Sequence, residues 1–436
     1  MAVNPLTLNH FAVEILFEIA SNATQTEQMA LSTVSKTFNA VAAKFLYRHI
    51  VLTSFRRIFR FCDTLEKKTE AALAVRTLSF DLLGHAMISG KWNVAIFEPF
   101  FRMINRALLK TTRLYSLVLR LPHDPRGMIL QNCTFPSLNH YGSTFDSGGD
   151  FVERNPVIKN ITVLGEGLGP DTMFDSAHVP SLNVFSGPAH LVPTVVPGRP
   201  VHSAKLWWPL YPCYETAEDG LDRCSAAIIK SLAQSTFPTG IAILENLFMD
   251  WPPMRTIDAL ATSLNLRVLF IRSRNCGERA YHMFLFELQT VLPQFQQLQE
   301  IGVTFLSPCG NADLQLHRDK VAELVEEFWT IREWANRCPT IRVCTLQSST
   351  PWLRFRLTSP SFWVPLHPEE RVFARVFADT MWKEAYENLR AWERFCRNCL
   401  ALYAQLPRGT GLFLAMHSQV VAIQSFGDLI PPLLDS

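Results

Sequence analysis

From about residue 75 onward a short pattern recurs: an apolar residue, two others, an apolar residue, one other, and an apolar or aromatic residue. It reads Val75-x-x-Leu78-x-Phe80, Leu114-x-x-Leu117-x-Leu119, Ile158-x-x-Ile161-x-Val163, Val179-x-x-Leu182-x-Val184, Leu244-x-x-Leu247-x-Met249, Leu266-x-x-Leu269-x-Ile271 and Leu298-x-x-Ile301-x-Val303. Weaker copies are Phe135-x-x-Leu138-x-His140 and Cys338-x-x-Ile341-x-Val343, and another strand candidate surrounds Leu206 and Trp208. In a chain that is 48% hydrophobic, three such positions coincide by chance in roughly one register in nine, so the pattern alone decides little. Spacing decides more. The centres are 39, 21, 23, 21, 24, 41, 22, 32 and 42 residues apart; five of these intervals fall within the period of about 20–29 residues of an array that adds one strand per turn, and the others accommodate longer or doubled units.

Between these strands lie helical stripes: Phe100, Met103, Ile104, Ala107 and Leu108; Ile257, Leu260, Ala261 and Leu264; Tyr281, Phe284, Leu285, Leu288 and Leu292; Val321, Leu324, Val325 and Phe328. Strand, helix and strand in succession predict parallel strands joined by crossover helices and stacked into a curved α/β solenoid. At 436 residues the chain exceeds what one core organises, which such an array avoids by growing lengthwise. Two stretches break the rhythm. Residues 186–203 hold Pro188, Pro193, Pro197 and Pro200, and residues 209–223 gather Glu215, Glu218, Asp219 and Asp222. Both read as long loops, either binding elements or disordered insertions. Trp352, Phe355, Phe362 and Trp363 with Arg354 and Arg356 read as core, as a solenoid cap or as a peptide-binding surface. The region from Arg371 to Leu406 reads as a long or kinked helix that caps the sheet, with Val372, Val376, Trp382, Leu389, Trp392 and Phe395 among its apolar positions.

The first fifty residues follow a different period. Ala12, Ile15, Leu16 and Ile19 share one helical stripe, Thr24-Gln25-Thr26-Glu27 is a capping box, and Leu31, Val34, Phe38, Val41 and Phe45 continue at helical spacing. So small a helical module either closes on itself or needs a neighbour to bury enough surface. Phe11-Ala12-Val13-Glu14-Ile15-Leu16, Leu31-Ser32-Thr33-Val34-Ser35-Lys36-Thr37-Phe38 and Phe45-Leu46-Tyr47-Arg48-His49-Ile50 resemble the three signature stretches of an F-box, in particular those of large fungal families. The family has leucine followed by proline where this chain has Phe11 and Ala12. The resemblance implies binding to a Skp-type adaptor of a cullin ubiquitin ligase. It maps the apolar motif positions onto Val13, Ile15, Leu16, Leu31, Val34, Phe38 and Leu46, which either pack the module or meet the adaptor. An F-box followed by such strands also resembles the fungal proteins that join it to degenerate leucine-rich repeats. The asparagine of a strict repeat is mostly absent, so the array reads as irregular.

The expected organisation is an F-box module over residues 1–52, a connecting helix over 53–74, a leucine-rich-repeat-like solenoid over 75–366 and a helical cap and tail over 367–436. The connecting helix carries Ile58, Phe61, Cys62 and Leu65 on one side and Arg56, Arg57 and Arg60 on the other. The expected function is that of a substrate adaptor, with a protein-binding scaffold outside any ligase as the alternative. Ubiquitin transfer would fall to other subunits. Because side chains alternate along a strand, Lys205 and Trp207, then Asn246, Phe248 and Asp250, then Val268, Phe270 and Arg272 are expected to point away from the core, on the concave face. Of these, Lys205, Trp207, Phe248, Asp250, Phe270 and Arg272 are the candidate contacts for the target protein.

Other functions find less in the sequence. A net charge of +2 offers no broad footprint for nucleic acid. No apolar run reaches the roughly 18 residues of a membrane span, and Glu14 and Glu18 interrupt the first apolar stretch where a signal peptide would lie. The ten dispersed cysteines suit free thiols in a reducing compartment, and a cytoplasmic or nuclear location is expected. Gly165-x-Gly167-x-Gly169 hints at an enzyme with a nucleotide loop, yet Pro170 and Asp171 follow where a helix start should present its amides. Cys396-x-x-Cys399 has half-site spacing for zinc without a second pair. No catalytic residue, cofactor or metal is expected.

Overall fold

In the computed structural model, which describes residues 12–82, 94–121, 127–144, 149–164, 179–208, 218–274, 277–305, 320–355 and 362–365 together with Val376 and Thr380, three short helices open the chain. They are α1 (Val13–Asn22), α2 (Gln25–Val34) and α3 (Lys36–Leu46). The Thr24 and Glu27 pair closes the start of α2 as a reciprocal cap: the Thr24 amide donates to Glu27 Oε2 at 2.7 Å and the Glu27 amide to Thr24 Oγ1 at 3.4 Å. Leu16, Ala20, Phe38 and Val41 form the small core of this module, with Phe17, Leu31 and Phe45 packed against it. The glycines of Gly165-x-Gly167-x-Gly169, the expected helix over 371–406 apart from Val376 and Thr380, and Cys396 and Cys399 lie outside the described residues.

The chain divides into two units, Met1–Ser203 with Gln234–Pro238 and Ala204–Ala233 with Thr239–Ser436. In the first, β1 (His49–Leu52), β2 (Thr77–Asp81), β3 (Ser116–Arg120), β4 (His140–Ser143), β5 (Asn160–Val163) and β6 (Val184–Pro188) pair in chain order. Every one of these pairings is parallel. Parallel neighbours need crossovers; α4 (Phe55–Lys67) with α5 (Thr69–Ala74), α6 (Val94–Lys110) and α7 (Gly149–Glu153) supply three of them, and a 3-10 turn (Met128–Leu130) lies between β3 and β4. Leu78, Leu117, Tyr141, Ile161 and Phe185 align in register and are all buried, so they form one row of the core. Helix α4 buries Ile58, Phe61, Cys62 and Leu65 and leaves Arg56, Arg57 and Arg60 in solvent. Buried Asn155 ties the turns together. Its Oδ1 accepts from the Phe135 amide at 2.6 Å and its Nδ2 donates to Phe151 O at 2.7 Å.

Residues 186–203 are not a loop. They complete β6, form a 3-10 turn (Ala189–Leu191) and the one-turn helix α8 (Val192–Val195), and bury Leu191, Val192, Val195, Val196 and Val201. Arg199 is buried as well, its guanidinium donating to the carbonyls of Thr194 and Val195 at the end of α8. The prolines shape this compact turn instead of signalling an insertion, because Pro193 sits in the first turn of α8, where no amide donor is required. Of the acidic stretch, residues 218–223 open helix α9 (Glu218–Leu232) and the remainder lies outside the described residues.

In the second unit, β7 (Ser203–Trp207), β8 (Ile243–Phe248), β9 (Val268–Ser273), β10 (Glu300–Phe305), β11 (Val343–Thr345), β12 (Pro351–Phe355) and β13 (Phe362–Pro365) follow one another across the sheet. From β8 to β11 the pairing is parallel, and β11, β12 and β13 close antiparallel. Crossovers are α10 (Met254–Ser263), α11 (Glu278–Val291) and α12 (Lys320–Arg337). Leu244, Leu269, Ile301 and Cys344 align as the buried row. Glu327 of α12, almost wholly buried, holds the turn before β12. It accepts from the Ser348 amide and hydroxyl, both at 2.7 Å, and from the Trp352 indole at 3.0 Å. Burial still dominates and pushes its carboxyl up to about 7. The fold class is thus mixed α/β, with a largely parallel sheet. Among the described residues no helix is long and apolar enough to cross a membrane.

Candidate protein-interaction surfaces

The seven F-box-like positions differ in burial. Leu16 and Phe38 are each 1% exposed and belong to the module's core, whereas Val13, Ile15 and Val34 are 50%, 45% and 51% exposed. Leu31 and Leu46 are half-buried. Helix geometry accounts for the sorting. Short helices in a three-helix module can each turn only one stripe inward, so the apolar residues beside that stripe stay outside. Ile19 and Met29 are exposed too, and Ile19, Ala30, Leu31 and Val34 line a shallow groove with Asn22, Ala23 and Glu27 along α1 and α2.

A second surface is the outer face of the sheet in the second unit. Lys205 and Trp207 of β7 and Val268, Phe270 and Arg272 of β9 face outward, with Lys205 and Arg272 exposed and the others half-buried. Phe248 does not join them. It is 7% exposed and faces the helices, stacked on Trp208 at 5.1 Å between ring centroids. Asn246, expected outside, is buried beside it and accepts the Trp208 indole proton at 3.1 Å. Asp250 is exposed but lies beyond the end of β8.

The reversal has a simple cause. Leu244, not Leu247, pairs with Leu269, so the repeat unit in β8 is Ile241-x-x-Leu244-x-Asn246, displaced by three residues from the expected one. The pattern places apolar residues three apart and therefore overlays itself under that displacement, while an odd displacement exchanges the two faces of a strand. A displacement of three in the opposite direction occurs at β4, where Leu138-x-x-Tyr141-x-Ser143 is the buried set, at β6, where Phe185 takes the core position, and at β11, where Ile341-x-x-Cys344-x-Leu346 is buried and Val343, expected in the core, faces outward. Residues missed on the outer face are therefore Ile243, Glu245 and Leu247. The polar Asn246 at a core position concealed them.

Outward side chains of the second unit form rows that cross the strands. Glu245, Phe270 and Gly302 make one, and Ile243, Val268, Glu300, Val343 and Leu353 another. Lys205 Nζ meets Glu245 Oε2 at 2.9 Å, and the Arg272 guanidinium lies 6.0 Å from the Phe270 ring centre. Gly302 is required here, since a Cβ at that position would stand 2.1 Å from Phe270 Cδ1. The ring lies over the glycine.

The outer face of the first unit is more polar. His49, Thr77, Ser116, His140, Asn160 and Val184 form one row and Val51, Ser79, Val118, Gly142, Thr162 and Ser186 the next. His140 bridges two hydroxyl groups, with Nδ1 3.0 Å from Ser116 Oγ and Nε2 3.3 Å from Thr162 Oγ1. Burial lowers the pKa of this imidazole, which favours the neutral ring that donates on one side and accepts on the other. The buried thiols of Cys62 and Cys133 are pushed up to about 12 by burial, so neither supplies a thiolate nucleophile. No family model matches this chain, and no curated protein matches it.

Proposed function

We propose that this chain is the substrate adaptor of a Skp-cullin-F-box type ubiquitin ligase. In this reading the N-terminal module docks on a Skp-type adaptor, and two arrays of degenerate leucine-rich repeats carry the target protein. The observation that supports it most is the exposure of Val13, Ile15, Ile19, Met29 and Val34 on a module of three short helices. Large apolar side chains clustered in solvent mark a surface that another protein covers. The repeat reading draws support from the parallel strands, each following a helix or turn, and from the aligned buried leucines and isoleucines.

The exposure pattern sets the test. Replacing Ile15 or Val34 with glutamate should leave the module's helicity unchanged. It should weaken binding to a Skp-type adaptor by about 2 kcal/mol or more, roughly thirtyfold. Replacing Leu16 or Phe38 with alanine should instead unfold the module. Wild-type binding indistinguishable from background in a titration with the purified adaptor would overturn the proposal. Adaptor binding without any change in the abundance of a captured protein when residues 1–52 are deleted would favour a scaffold.

A further inference from the structure

Glu300 stands in the middle of the outer face of the second unit, and nothing among the described residues of that face answers its charge. In register it lies between Val268 of β9 and Val343 of β11, and the row continues to Ile243 on one side and Leu353 on the other. All four aliphatic side chains are half-buried. The neighbouring charges are matched locally: Lys205 is paired with Glu245, and Arg272 lies against the Phe270 ring. Glu300 forms no ion pair and no side-chain hydrogen bond among the described residues. Burial alone perturbs its carboxyl, raising the pKa, and no nearby cation offsets that cost. A half-buried, unpartnered carboxylate among aliphatic side chains destabilises the sheet unless something supplies the missing positive charge.

We infer that this face receives a polypeptide segment of the target that carries a lysine or arginine between apolar side chains, the cation resting on Glu300. The apolar flanks would cover Val268 and Val343, with Ile243, Leu353 and Phe270 at the margins. A row over five strands spans about 19 Å, close to the length of about six extended residues, which suits a peptide segment better than a small cation. Charge complementarity sets the chemistry of the contact, and the aliphatic row supplies the area. The inference rests on the repeat surface being the target-binding face, and it is independent of how the N-terminal module docks.

The experiment uses the immobilised full chain and its Glu300→Gln variant to select from a random linear peptide library displayed on phage. Wild type should enrich peptides with a lysine or arginine flanked by leucine, isoleucine, valine or phenylalanine. A selected peptide, made synthetically, should lose at least about tenfold in affinity for Glu300→Gln. Replacing its basic residue with norleucine should cost as much, and the two changes together no more than either alone. Thermal unfolding should show the variant as stable as wild type or more so, since an uncompensated charge has gone. Glu245→Gln, which loses a charge already paired, should bind the peptide within about twofold of wild type. Absence of enrichment, enrichment without basic residues, or equal affinity for the Glu300→Gln variant would each overturn the inference. Adaptor binding by the same preparation tells such a failure apart from a failure of the ligase reading.

Discussion

At equivalent strand positions the outer face of the first unit offers Thr77, Ser116, His140 and Asn160, and that of the second offers Ile243, Val268, Glu300 and Val343. Both rows stand on parallel strands whose inward positions are filled by the same kinds of residue. In the first unit the polar outward groups at the centre of the face satisfy one another, as the Ser116, His140 and Thr162 contacts illustrate, with Val51, Val118 and Val184 beside them. In the second they leave aliphatic and aromatic surface half-covered and one carboxylate unanswered. A face that completes its own hydrogen bonds has little to gain from a partner, whereas one that leaves apolar area and charge unsatisfied gains from being covered. The strand geometry is shared, and the difference in chemistry lies in the outward residues.

The largest expected effect separates the inner from the outer side of the second unit. Phe248→Ala should destabilise the protein by about 3–5 kcal/mol, the cost of a cavity beneath Trp208. Phe270→Ala and Trp207→Ala on the outer face should each cost about 1 kcal/mol or less in the same urea titration. Equal losses from all three would mean that the outer face is itself core, and the contrast between the two units would fall.

A second effect concerns acidity. The Glu327 carboxyl is raised from its ordinary value of 4.5 to about 7, so the folded state holds its proton more tightly than the unfolded chain. Its stabilising share is full below pH 4.5 and is lost as pH rises through about 7, a change of about 3 kcal/mol. Glu327→Gln should therefore match wild type in mild acid and become the more stable protein at pH 8, measured by denaturant unfolding across that range. A difference that stays constant with pH would remove this account.

Smaller effects sharpen the comparison at its two outward glycines. A Cβ at Gly302 would collide with the Phe270 ring, whereas one at Gly142 would meet Val118 and Thr162 at 3.5–3.6 Å, an ordinary contact. Gly302→Ala should cost about 1 kcal/mol or more, and adding Phe270→Ala should recover part of it. Gly142→Ala should fall within about 0.5 kcal/mol of wild type. Similar losses at both sites would mean that Phe270 does not lie over Gly302.

The smallest effect belongs to His140. Its pKa is lowered in the folded state by burial, so its contribution is present above its ordinary value of 6.5 and is lost as pH falls below it. Amide protection in β3 to β5, taken relative to the intrinsic exchange rate at each pH, should fall on acidification more in wild type than in His140→Gln. Identical pH profiles would show that His140 is not the group responsible.

Much of this was legible in the residues. The helical period of the first fifty positions, the Thr24 and Glu27 cap, the Ile58, Phe61, Cys62 and Leu65 stripe and the strands at Leu78, Leu117, Ile161, Leu269 and Ile301 all follow from local spacing. Which face of β7 and of β9 points outward was legible for the same reason. Strands β4, β6, β8 and β11 were not: in the first three a polar or small residue, Ser143, Gly187 or Asn246, occupies a core position, and in β11 buried Ile341, Cys344 and Leu346 overlay the expected pattern at a shift of three. An apolar pattern that repeats at three residues then offers two registers of opposite face.

Local order, then, is what the residues determine by themselves: which segments are helices, which are strands, and that consecutive strands need a crossover. Side-chain pattern acts within a few residues, and that suffices to set a period. Three things waited for the tertiary structure. Leu16 and Phe38 turned inward while Val13, Ile15 and Val34 stayed outside, Phe248 went beneath the sheet, and Glu300 came to lie between two valines distant in sequence. Each depends on which strands or helices become neighbours, and burial is a property of that arrangement, not of any residue alone.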